Sequence, residues 1–294
     1  MRLAVLLTCH NRRDQTLACL RALHACARPP GCELAVYLVD DGSRDGTGEA
    51  VRAEFPLVSL IDGDGSLFWN GGMRRAFGTA MQQDHDAYLW LNDDTMLYPH
   101  ALQNVLACGD ELASAHGGRR DIIVGATCDA VSEKLTYGGL VSRSRWSPHY
   151  YVHLPVADRP QPCQTLNGNC VLIPRAVAQA IGNIDDAFVH AIGDWDYGFR
   201  ARRAGFGIWM APGFAGTCSQ NPASVTPPEE AASIRLQLRK TCGPKRVPPH
   251  AWGTFVRRHC GLFWPLYFVR PYAAAVLRAA GVKFRRLFVQ AARG

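Results

Sequence analysis

The amino-acid sequence predicts an α/β fold, with a mostly parallel central sheet flanked by helices and a basic helical tail after it. Three observations support this prediction. Apolar segments of strand length alternate with segments of helical periodicity over residues 1–98, and polar clusters follow the strands. Basic residues continue to the end of the chain, whereas acidic residues stop at Glu230. Strand and helix alternation is typical of a parallel sheet, because each return crossover is usually a helix.

The predicted elements follow one another in a regular order. The first strand is Leu3 to Leu7, and leucines at helical spacing place the first helix at Asp14 to Ala27. The design repeats with a strand from Leu34 to Val39, a Gly/Ser/Asp turn and a helix around Glu49 to Phe55. A third strand lies in LVSLIDGDG, the next helix is GGMRRAFGTAMQQ, and the fourth strand is AYLWLNDD. A further helix is expected over Pro99 to Ala107.

Length and composition indicate a globular protein. A chain of 294 residues with 48% hydrophobic content can bury a large core. We expect one domain over residues 1–230 and a tail over 231–294. The first apolar segment is too short for a signal peptide, and no segment approaches the ~20 apolar residues of a membrane span. The 11 cysteines form no C-x-x-C pair, which is typical of reduced thiols in a cytoplasm.

The tail differs from the preceding chain in charge. It contains 13 of the 32 Lys and Arg residues and no acidic residue, which leaves 19 basic against 25 acidic residues before it. From Pro271 onward, a helical projection places Arg278, Arg285, Arg286 and Arg293 opposite Val276, Leu277, Phe284 and Leu287. This pattern predicts an interfacial helix on an anionic membrane surface. The alternative is a helix that packs on the rest of the protein or on a second subunit, and the sequence is therefore also compatible with an oligomer.

Three polar clusters follow the predicted strands, at Thr8 to Arg12, Asp40 to Ser43 and Asn92 to Thr95. In parallel sheets, ligands bind outside the carboxyl ends of the strands. The adjacent carboxylates of Asp93 and Asp94 repel each other, so a cation or hydrogen-bond donors must share their charge. The alternative is that Asp94 or Thr95 caps the helix near Pro99.

The order of the motifs resembles the family 2 inverting glycosyltransferases with the glycosyltransferase A fold, especially the rhamnosyltransferase-like branch. The motifs are TCHNR, VDDGSRDGT, WNGGMRRA, LNDDT, NGNCVLIPRAV, IGNIDDAF and GDWDYGFRARRAGF. The resemblance implies a nucleotide-sugar-binding domain, with a nucleotide-binding half at about 1–98 and an acceptor half at about 99–230. It also implies a UDP-, dTDP- or GDP-linked sugar donor and a glycan or lipid-linked acceptor at the cytoplasmic face of a membrane. The Gln-x-x-Arg-Trp motif of processive synthases is absent, which favours transfer of one sugar per encounter.

The resemblance implies a donor site at the first polar clusters. Asp94 would bind Mg²⁺ or Mn²⁺, and Asp93 the ribose or the metal's waters, because a diphosphate leaving group is usually stabilised by a divalent cation on hard oxygen ligands. Asp41 would contact the base, with a purely turn-building role for Asp40 or Ser43 as the alternative. Residues 69–72 are expected just before a helix, where free N–H groups favour phosphate. The predicted nucleotide-sugar-binding residues are Thr8, His10, Asn11, Arg12, Asp40, Asp41, Asn70, Gly71, Gly72 and Asp93.

An inverting transfer needs a general base for the acceptor hydroxyl. In the family, this base is the Asp of an acidic doublet before an aromatic-rich helix. Asp194 takes that place in IGDWDYGF, although Gly193 replaces the usual Glu. An N-cap role for Asp194 is the alternative. The predicted acceptor side comprises Asn167, Gly168, Asn169, Trp195 and Asp196, and a glycine turn explains the first three equally well.

Two other classes of protein fit the sequence less well. A sugar nucleotidyltransferase should carry a glycine-rich, basic phosphate loop after its first strand, and TCHNRRDQT has no glycine. A nucleic-acid-binding protein would account for the basic tail alone. Some relatives place a metal-binding His near GTCSQNPAS, and this segment has none, so the cation would rest on Asp94, the diphosphate and water.

Overall fold

The computed structural model describes residues 1–143, 151–219 and 233–291, with side chains as far as residue 281. The chain divides into two compact units, Met1–Gln220 and Asn221–Gly294. The predicted boundary after residue 230 lies outside the described residues. No described helix is long and apolar enough to cross a membrane.

The first unit is built on one large sheet and one small sheet. The strands are β1 Arg2–Cys9, β2 Glu33–Asp40, β3 Ser59–Asp62, β4 Ala87–Leu91, β5 Met96–Leu97, β6 Ile122–Cys128, β7 Leu135–Tyr137, β8 Gly139–Ser142, β9 Tyr151–His153, β10 Gln161–Pro162, β11 Thr165–Leu166, β12 Cys170–Pro174 and β13 Ile208–Thr217. The helices are α1 Arg13–Ala25, α2 Thr47–Glu54, α3 Phe68–Ala80, α4 Ala101–Ala115, α5 Arg175–Ile181 and α6 Gly193–Arg203. The small sheet has the order β11-β8-β9.

The large sheet has the strand order β10-β13-β6-β12-β4-β1-β2-β3. Strands β1 to β4 run parallel, and β6 and β13 are parallel to each other. Only β12 reverses the direction within the centre of the sheet, since it is antiparallel to both β4 and β6. The predicted mostly parallel α/β fold is therefore confirmed.

Helices cover both faces of the large sheet. In β1, Leu3, Val5 and Leu7 point into one core with residues of α1 and α4, whereas Ala4 and Leu6 point into another core with residues of α3 and α6. Successive side chains of a strand alternate between faces, so a strand covered on both sides must be apolar throughout. This requirement explains why the first strand reads as a continuous apolar run.

Two predicted helix starts need correction. Helix α3 begins at Phe68, three positions earlier than the predicted glycine start. Helix α4 begins at Ala101 after β5, and its N-terminal flanking residue is His100, so neither Asp94 nor Thr95 caps it. The capping explanation for the Asp93–Asp94 pair is therefore wrong.

The second unit contains the helices α7 Ile234–Thr241, α8 Pro249–His259 and α9 Trp264–Ala291, with a short 3₁₀ turn at Gly261–Phe263. Within this unit, α9 packs on α7 and α8. The Trp252 indole N–H donates to the Tyr267 carbonyl oxygen at 3.1 Å, and the Arg257 guanidinium lies over the Trp264 ring at 4.6 Å. The predicted helical tail is present in the described part of the chain.

The 3₁₀ turn at Gly261–Phe263 and helix α9 leave large apolar side chains exposed. The exposed fractions are 94% for Leu262, 67% for Phe263, 70% for Leu266, 55% for Val269 and 71% for Leu277. Of the predicted tail pattern, the side chains of Phe284, Arg285, Arg286, Leu287 and Arg293 lie outside the described residues. We call Leu262, Phe263, Leu266, Val269 and Leu277 the tail apolar patch.

Candidate active site

The predicted polar clusters meet at one edge of the large sheet. Cys9 at the end of β1 is in register with Asp40 at the end of β2, and Asp40 with Asp62 at the end of β3. At the neighbouring strands, Leu91 at the end of β4 is in register with Cys170 at the start of β12. The residues before β12 therefore lie beside the residues after β4, as the topology of such sheets requires for a ligand site.

The carboxylates of Asp93 and Asp94 share a guanidinium. Arg12 Nη1 lies 2.6 Å from Asp94 Oδ2 and 3.3 Å from Asp93 Oδ1. Burial, together with the neighbouring Asp94 charge, raises the pKa of Asp93 to about 7. Asp93 Oδ2 is buried and has no hydrogen-bond partner among the described residues. The sequence predicted that either a cation or hydrogen-bond donors share the charge of Asp93 and Asp94. In the structure, the guanidinium of Arg12 is such a cation.

Asp41 organises the loop between β3 and α3. Its Oδ1 accepts the N–H groups of Gly65 at 2.8 Å and Leu67 at 3.3 Å, and its Oδ2 accepts the Phe68 N–H at 3.0 Å. The carboxylate thus satisfies orphan N–H groups at the start of α3 and complements the helix dipole. The turn-building role that the sequence left open is present here, and a nucleotide base would have to share this carboxylate.

The loop after β1 is fixed against the loop after β2. His10 Nδ1–H donates to the Asp41 carbonyl oxygen at 2.6 Å, and Asn11 Nδ2 donates to His10 Nε2 at 3.0 Å. The Asn11 Oδ1 in turn accepts the Arg44 N–H at 2.8 Å. The Asp40 Oδ1 accepts the Ser43 N–H at 2.9 Å. These contacts bring His10, Asn11, Asp40 and Asp41 together, as the motif order predicts.

The predicted phosphate site at the start of α3 needs correction. Asn70 and Gly71 lie inside the helix, and their N–H groups already donate to the Val189 and Leu67 carbonyl oxygens at 3.1 Å each. Gly72 is required by packing, because a Cβ atom there would lie 2.1 Å from Thr8 Oγ1. The glycines let α3 approach β1 closely, and the first-turn N–H groups that an anion would need are occupied.

Asp194 is held at the first turn of α6, next to the start of β12. Its Oδ2 accepts the Gly168 N–H at 3.1 Å, and its Oδ1 accepts the Trp195 N–H at 2.9 Å. Burial raises the pKa of this partly exposed carboxyl to about 6, against the opposing effect of those N–H groups and the Asn167 side chain. Asn167 Oδ1 also accepts a hydrogen bond from His153 Nε2 at 2.9 Å. A carboxylate with a pKa near neutrality is suited to proton transfer at physiological pH.

The backbone before Asp194 is strained. Ile192 has a φ of +76°, a left-handed conformation that is unfavourable for a β-branched residue. Gly193 follows, and a Cβ atom there would lie 2.2 Å from Asn70 Oδ1. This contact explains why the usual Glu of the doublet has no room in this chain. Strain of about 1–3 kcal/mol at such a residue persists only where packing enforces it, which is common at functional sites.

Asp196 does not belong to the acceptor side. Its carboxylate is fully buried and lies 2.8 Å from Arg200 Nε, one helical turn further along α6. Arg200 also donates to the carbonyl oxygens of Ile181 at 2.6 Å and Asn183 at 2.8 Å. The two carboxylates of α6 point to different faces, as their spacing predicts. Asp196 therefore anchors α6 to the end of α5, and its predicted acceptor role is wrong.

The remaining predicted acceptor residues lie beside Asp194 or next to the carboxylate pair. The Trp195 ring contacts Tyr151 edge-on, with centroids 5.1 Å apart. The Asn169 amide Nδ2 donates to Cys218 Sγ at 3.3 Å, and the Cys218 thiol lies 3.3 Å from Asp94 Oδ1. Asn169 is thus linked through Cys218 to the Asp93–Asp94 pair, whereas it was predicted on the acceptor side.

Trp69 joins the two halves of the site and was missed by the sequence analysis. Its Nε1–H donates to Asn92 Oδ1 at 2.7 Å, immediately before the carboxylate pair. The other end of its indole ring lies against Gly168, where a Cβ atom would be 2.2 Å from Cη2. Gly168 is the residue whose N–H binds Asp194. The only sequence signal for the linking role of Trp69 was its position next to Asn70 in WNGG. Likewise, the only sequence signal for the contact of Cys218 with Asp94 was the position of Cys218 in GTC.

The carboxylate pair offers hard oxygen ligands, among them the buried unpartnered Oδ2 of Asp93. Among the described residues there is no cluster of three or more His, Cys, Asp or Glu side chains that could hold a metal ion. Mg²⁺ sites commonly combine one or two carboxylates with substrate phosphates and water. Asp93 and Asp94 fit a cation that arrives with a diphosphate, and they do not form a complete protein cage.

Polar loops at one edge of a mostly parallel sheet are the usual place for a ligand in α/β proteins, and a comparison with protein-family models identifies the class of protein. The chain belongs to the glycosyltransferase-like family 2, whose model matches residues 1–243. The search of curated proteins gave no match.

Solved glycosyltransferases share the fold. The mannosyltransferase PcManGT from Pyrobaculum calidifontis, in complex with GDP-Man and Mn²⁺, is 15% identical with a TM-score of 0.55, over 100% of this chain and 76% of that one. TarS from S. aureus is 16% identical with a TM-score of 0.52, over 87% of this chain and 42% of that one. A shorter TarS structure, residues 1–349 in complex with UDP-GlcNAc, is 15% identical with a TM-score of 0.54, over 87% and 71% of the two chains. The chain thus spans less than half the length of the longer TarS chain.

Proposed function

We propose that this protein is a metal-dependent, inverting, non-processive glycosyltransferase that moves one sugar from a nucleoside-diphosphate sugar to a glycan or lipid-linked acceptor. The observation that carries the proposal is the arrangement of two carboxylate sites at one sheet edge. Asp93 and Asp94 share the guanidinium of Arg12, and Asp194 is a separate carboxyl with a pKa raised to about 6. Such a division suits one site for the leaving group and one for the acceptor.

The donor side would handle the charge of the departing diphosphate. Asp94 and Asp93 would hold Mg²⁺ or Mn²⁺, which stabilises negative charge on the leaving oxygen as a Lewis acid. The loops of His10, Asn11, Asp40 and Asp41 would bind the nucleoside, since their mutual hydrogen bonds already fix them at the same edge. Preorganised groups of this kind lower the cost of ordering when the ligand binds.

The acceptor side would remove a proton. In a single in-line displacement, an acceptor hydroxyl oxygen bonds to the anomeric carbon while the bond from that carbon to the diphosphate breaks. The hydroxyl proton passes to Asp194, and inversion follows from attack on the opposite face. The two N–H groups that Asp194 accepts orient its carboxylate, and its raised pKa makes it a stronger base than an exposed aspartate.

The second unit would bring the enzyme to its acceptor. The tail apolar patch exposes large side chains in a segment with many basic residues and no acidic ones. Apolar side chains with flanking Lys and Arg residues favour anionic lipid surfaces. Attachment to the cytoplasmic face of a membrane would place a lipid-linked acceptor within reach of the catalytic unit.

The decisive experiment is a donor screen with matched variants. Hydrolysis and transfer of UDP-, dTDP- and GDP-sugars are measured with Mn²⁺ or Mg²⁺, for the wild type, Asp194→Asn and Asp186→Asn. We expect Asp194→Asn to lower kcat by ~10²–10⁴, because it removes general-base assistance while nearly preserving shape. Asp186 is 79% exposed and serves as the control. Wild-type turnover that Asp194→Asn leaves unchanged would refute the assigned base, and the absence of turnover with every donor would refute the function.

A further inference from the structure

We propose that Arg12 is an exchangeable internal cation: its guanidinium neutralises Asp93 and Asp94 before the donor binds, and moves to the donor diphosphate when a divalent cation takes its place. This inference rests on the proposed function. It assigns Arg12 control over the order in which metal and nucleotide bind.

The contacts of Arg12 place it where a metal ligand set would form. One nitrogen, Nη1, lies against both carboxylates, at 2.6 Å from Asp94 Oδ2 and 3.3 Å from Asp93 Oδ1. A carboxylate-bound Mg²⁺ lies at about 2.0–2.1 Å from its oxygen. A guanidinium and a divalent cation cannot both approach Asp94 Oδ2 in this way, because they would occupy the same space and repel each other. Binding of the metal to Asp94 Oδ2 therefore requires Arg12 to leave.

Arg12 is placed so that it can leave. It immediately precedes α1 and its backbone is not helical, with a φ of −141° and a ψ of +43°. Its side chain is 33% exposed, whereas the side chain of Asp93 is only 9% exposed. The more exposed guanidinium thus lies on the solvent side of the Asp93 carboxylate.

A diphosphate supplies the alternative partner. Guanidinium groups bind phosphate oxygens through two parallel hydrogen bonds, and such charge-assisted bonds are among the strong ones. The metal alone would displace Arg12 into water without compensation. The metal together with a diphosphate exchanges one anionic partner of Arg12 for another. The structure therefore favours joint binding of metal and nucleotide over binding of the metal alone.

The test measures two affinities that a merely structural role would not move in opposite directions. Mn²⁺ alone is titrated by the loss of the free Mn²⁺ paramagnetic resonance signal. UDP, dTDP and GDP are then titrated separately by calorimetry at saturating Mn²⁺. The variants are Arg12→Gln, Arg12→Lys and, as the matched control, Arg13→Gln, whose side chain is exposed one position further on.

For Arg12→Gln, we expect Mn²⁺ alone to bind about tenfold more tightly, because a competing charge a few ångströms away is removed. The nucleoside diphosphate that wild type binds should bind about tenfold more weakly, because a partner of its phosphates is lost. Arg12→Lys keeps the charge and should keep Mn²⁺ binding near the wild-type value. Arg13→Gln should change neither affinity.

Unchanged or weaker Mn²⁺ binding by Arg12→Gln would overturn the proposal. Tighter Mn²⁺ binding with unchanged nucleotide affinity would overturn it as well, since Arg12 would then have no role toward the diphosphate. If the wild type bound none of the three nucleotides with Mn²⁺, the glycosyltransferase proposal itself would fail. That outcome differs from wild-type binding that Arg12→Gln leaves unaltered.

Discussion

Asp194→Asn is expected to stabilise the folded chain near neutral pH while it removes the proposed base. Burial raises the pKa of Asp194 from its ordinary 3.8 to about 6. Between those two pH values, the folded state binds a proton that the unfolded state has released. The free energy of unfolding therefore decreases as the pH rises from about 4 to about 6, and this contribution is constant above that range.

The size of the effect follows from the pKa difference. A shift of about two units corresponds to about 3 kcal/mol, at about 1.4 kcal/mol per unit. Asparagine never carries the buried charge, so it avoids this cost. It also loses one acceptor for the N–H groups of Gly168 and Trp195, which costs about 1 kcal/mol. The net expectation is a gain of about 2 kcal/mol at pH 7.5, and no gain at pH 4.

The assay is urea unfolding of the wild type and Asp194→Asn at several pH values between 4 and 7.5. The stability difference should grow with pH up to about 6 and then level off. Asp196→Asn is the contrasting variant, because it breaks the buried pair with Arg200 and should cost about 3–5 kcal/mol. A stability difference for Asp194→Asn that does not depend on pH would refute the raised pKa, and with it the physical argument for this base.

Three further predictions concern other parts of the molecule. Asp94→Ala should abolish Mn²⁺-dependent nucleotide binding in calorimetry while the fold is retained, and unchanged affinity would remove Asp94 from the metal site. Gly193→Ala should cost about 1–3 kcal/mol in urea unfolding, because its Cβ would lie 2.2 Å from Asn70 Oδ1. Adding Asn70→Ala should recover part of that loss, and strictly additive losses would show that the two residues do not collide. Replacing Leu262 and Phe263 together by Ser should reduce sedimentation with anionic vesicles relative to the wild type, whereas neutral vesicles should capture little of either protein. Equal capture of both proteins by anionic vesicles would refute a membrane role for these two residues.

The sequence predicted the fold because its strands are covered on both faces and its helices on one. Such burial leaves long apolar runs and a 3.6-residue period that local pattern can detect. The motif order also placed the loops after β1, β2 and β4 at one edge, and the structure brings those loops together. These parts of the prediction depend only on topology, because the loops that follow parallel strands must meet at one edge of the sheet.

Pattern could not predict contacts that depend on side-chain geometry across distant segments. Arg12 was predicted to bind the nucleotide, yet its guanidinium binds the carboxylates of Asp93 and Asp94, which lie 81 and 82 positions further along the chain. Asp196 carried the same local signal as Asp194, and only the position of Arg200 one turn along the helix separates their roles. Gly72 was predicted to bind the nucleotide sugar, whereas the space beside its Cα is filled by the Thr8 side chain. The local sequence around a short polar residue or a glycine looks the same whether that residue binds a ligand or makes a packing contact.

Trp69 sets the spacing between the loop of Asn92, next to the Asp93–Asp94 pair, and the loop of Gly168, next to Asp194. It is bonded at one end to Asn92 and pressed at the other against Gly168, so neither loop can shift without moving the ring. A smaller side chain would let the loops drift independently, and a larger residue at position 168 would force them apart. Attempts to graft new donor or acceptor specificity onto this scaffold should therefore transfer the loops around Asn92 and Gly168 as a matched pair. The length of the indole ring thus determines the distance between these two loops.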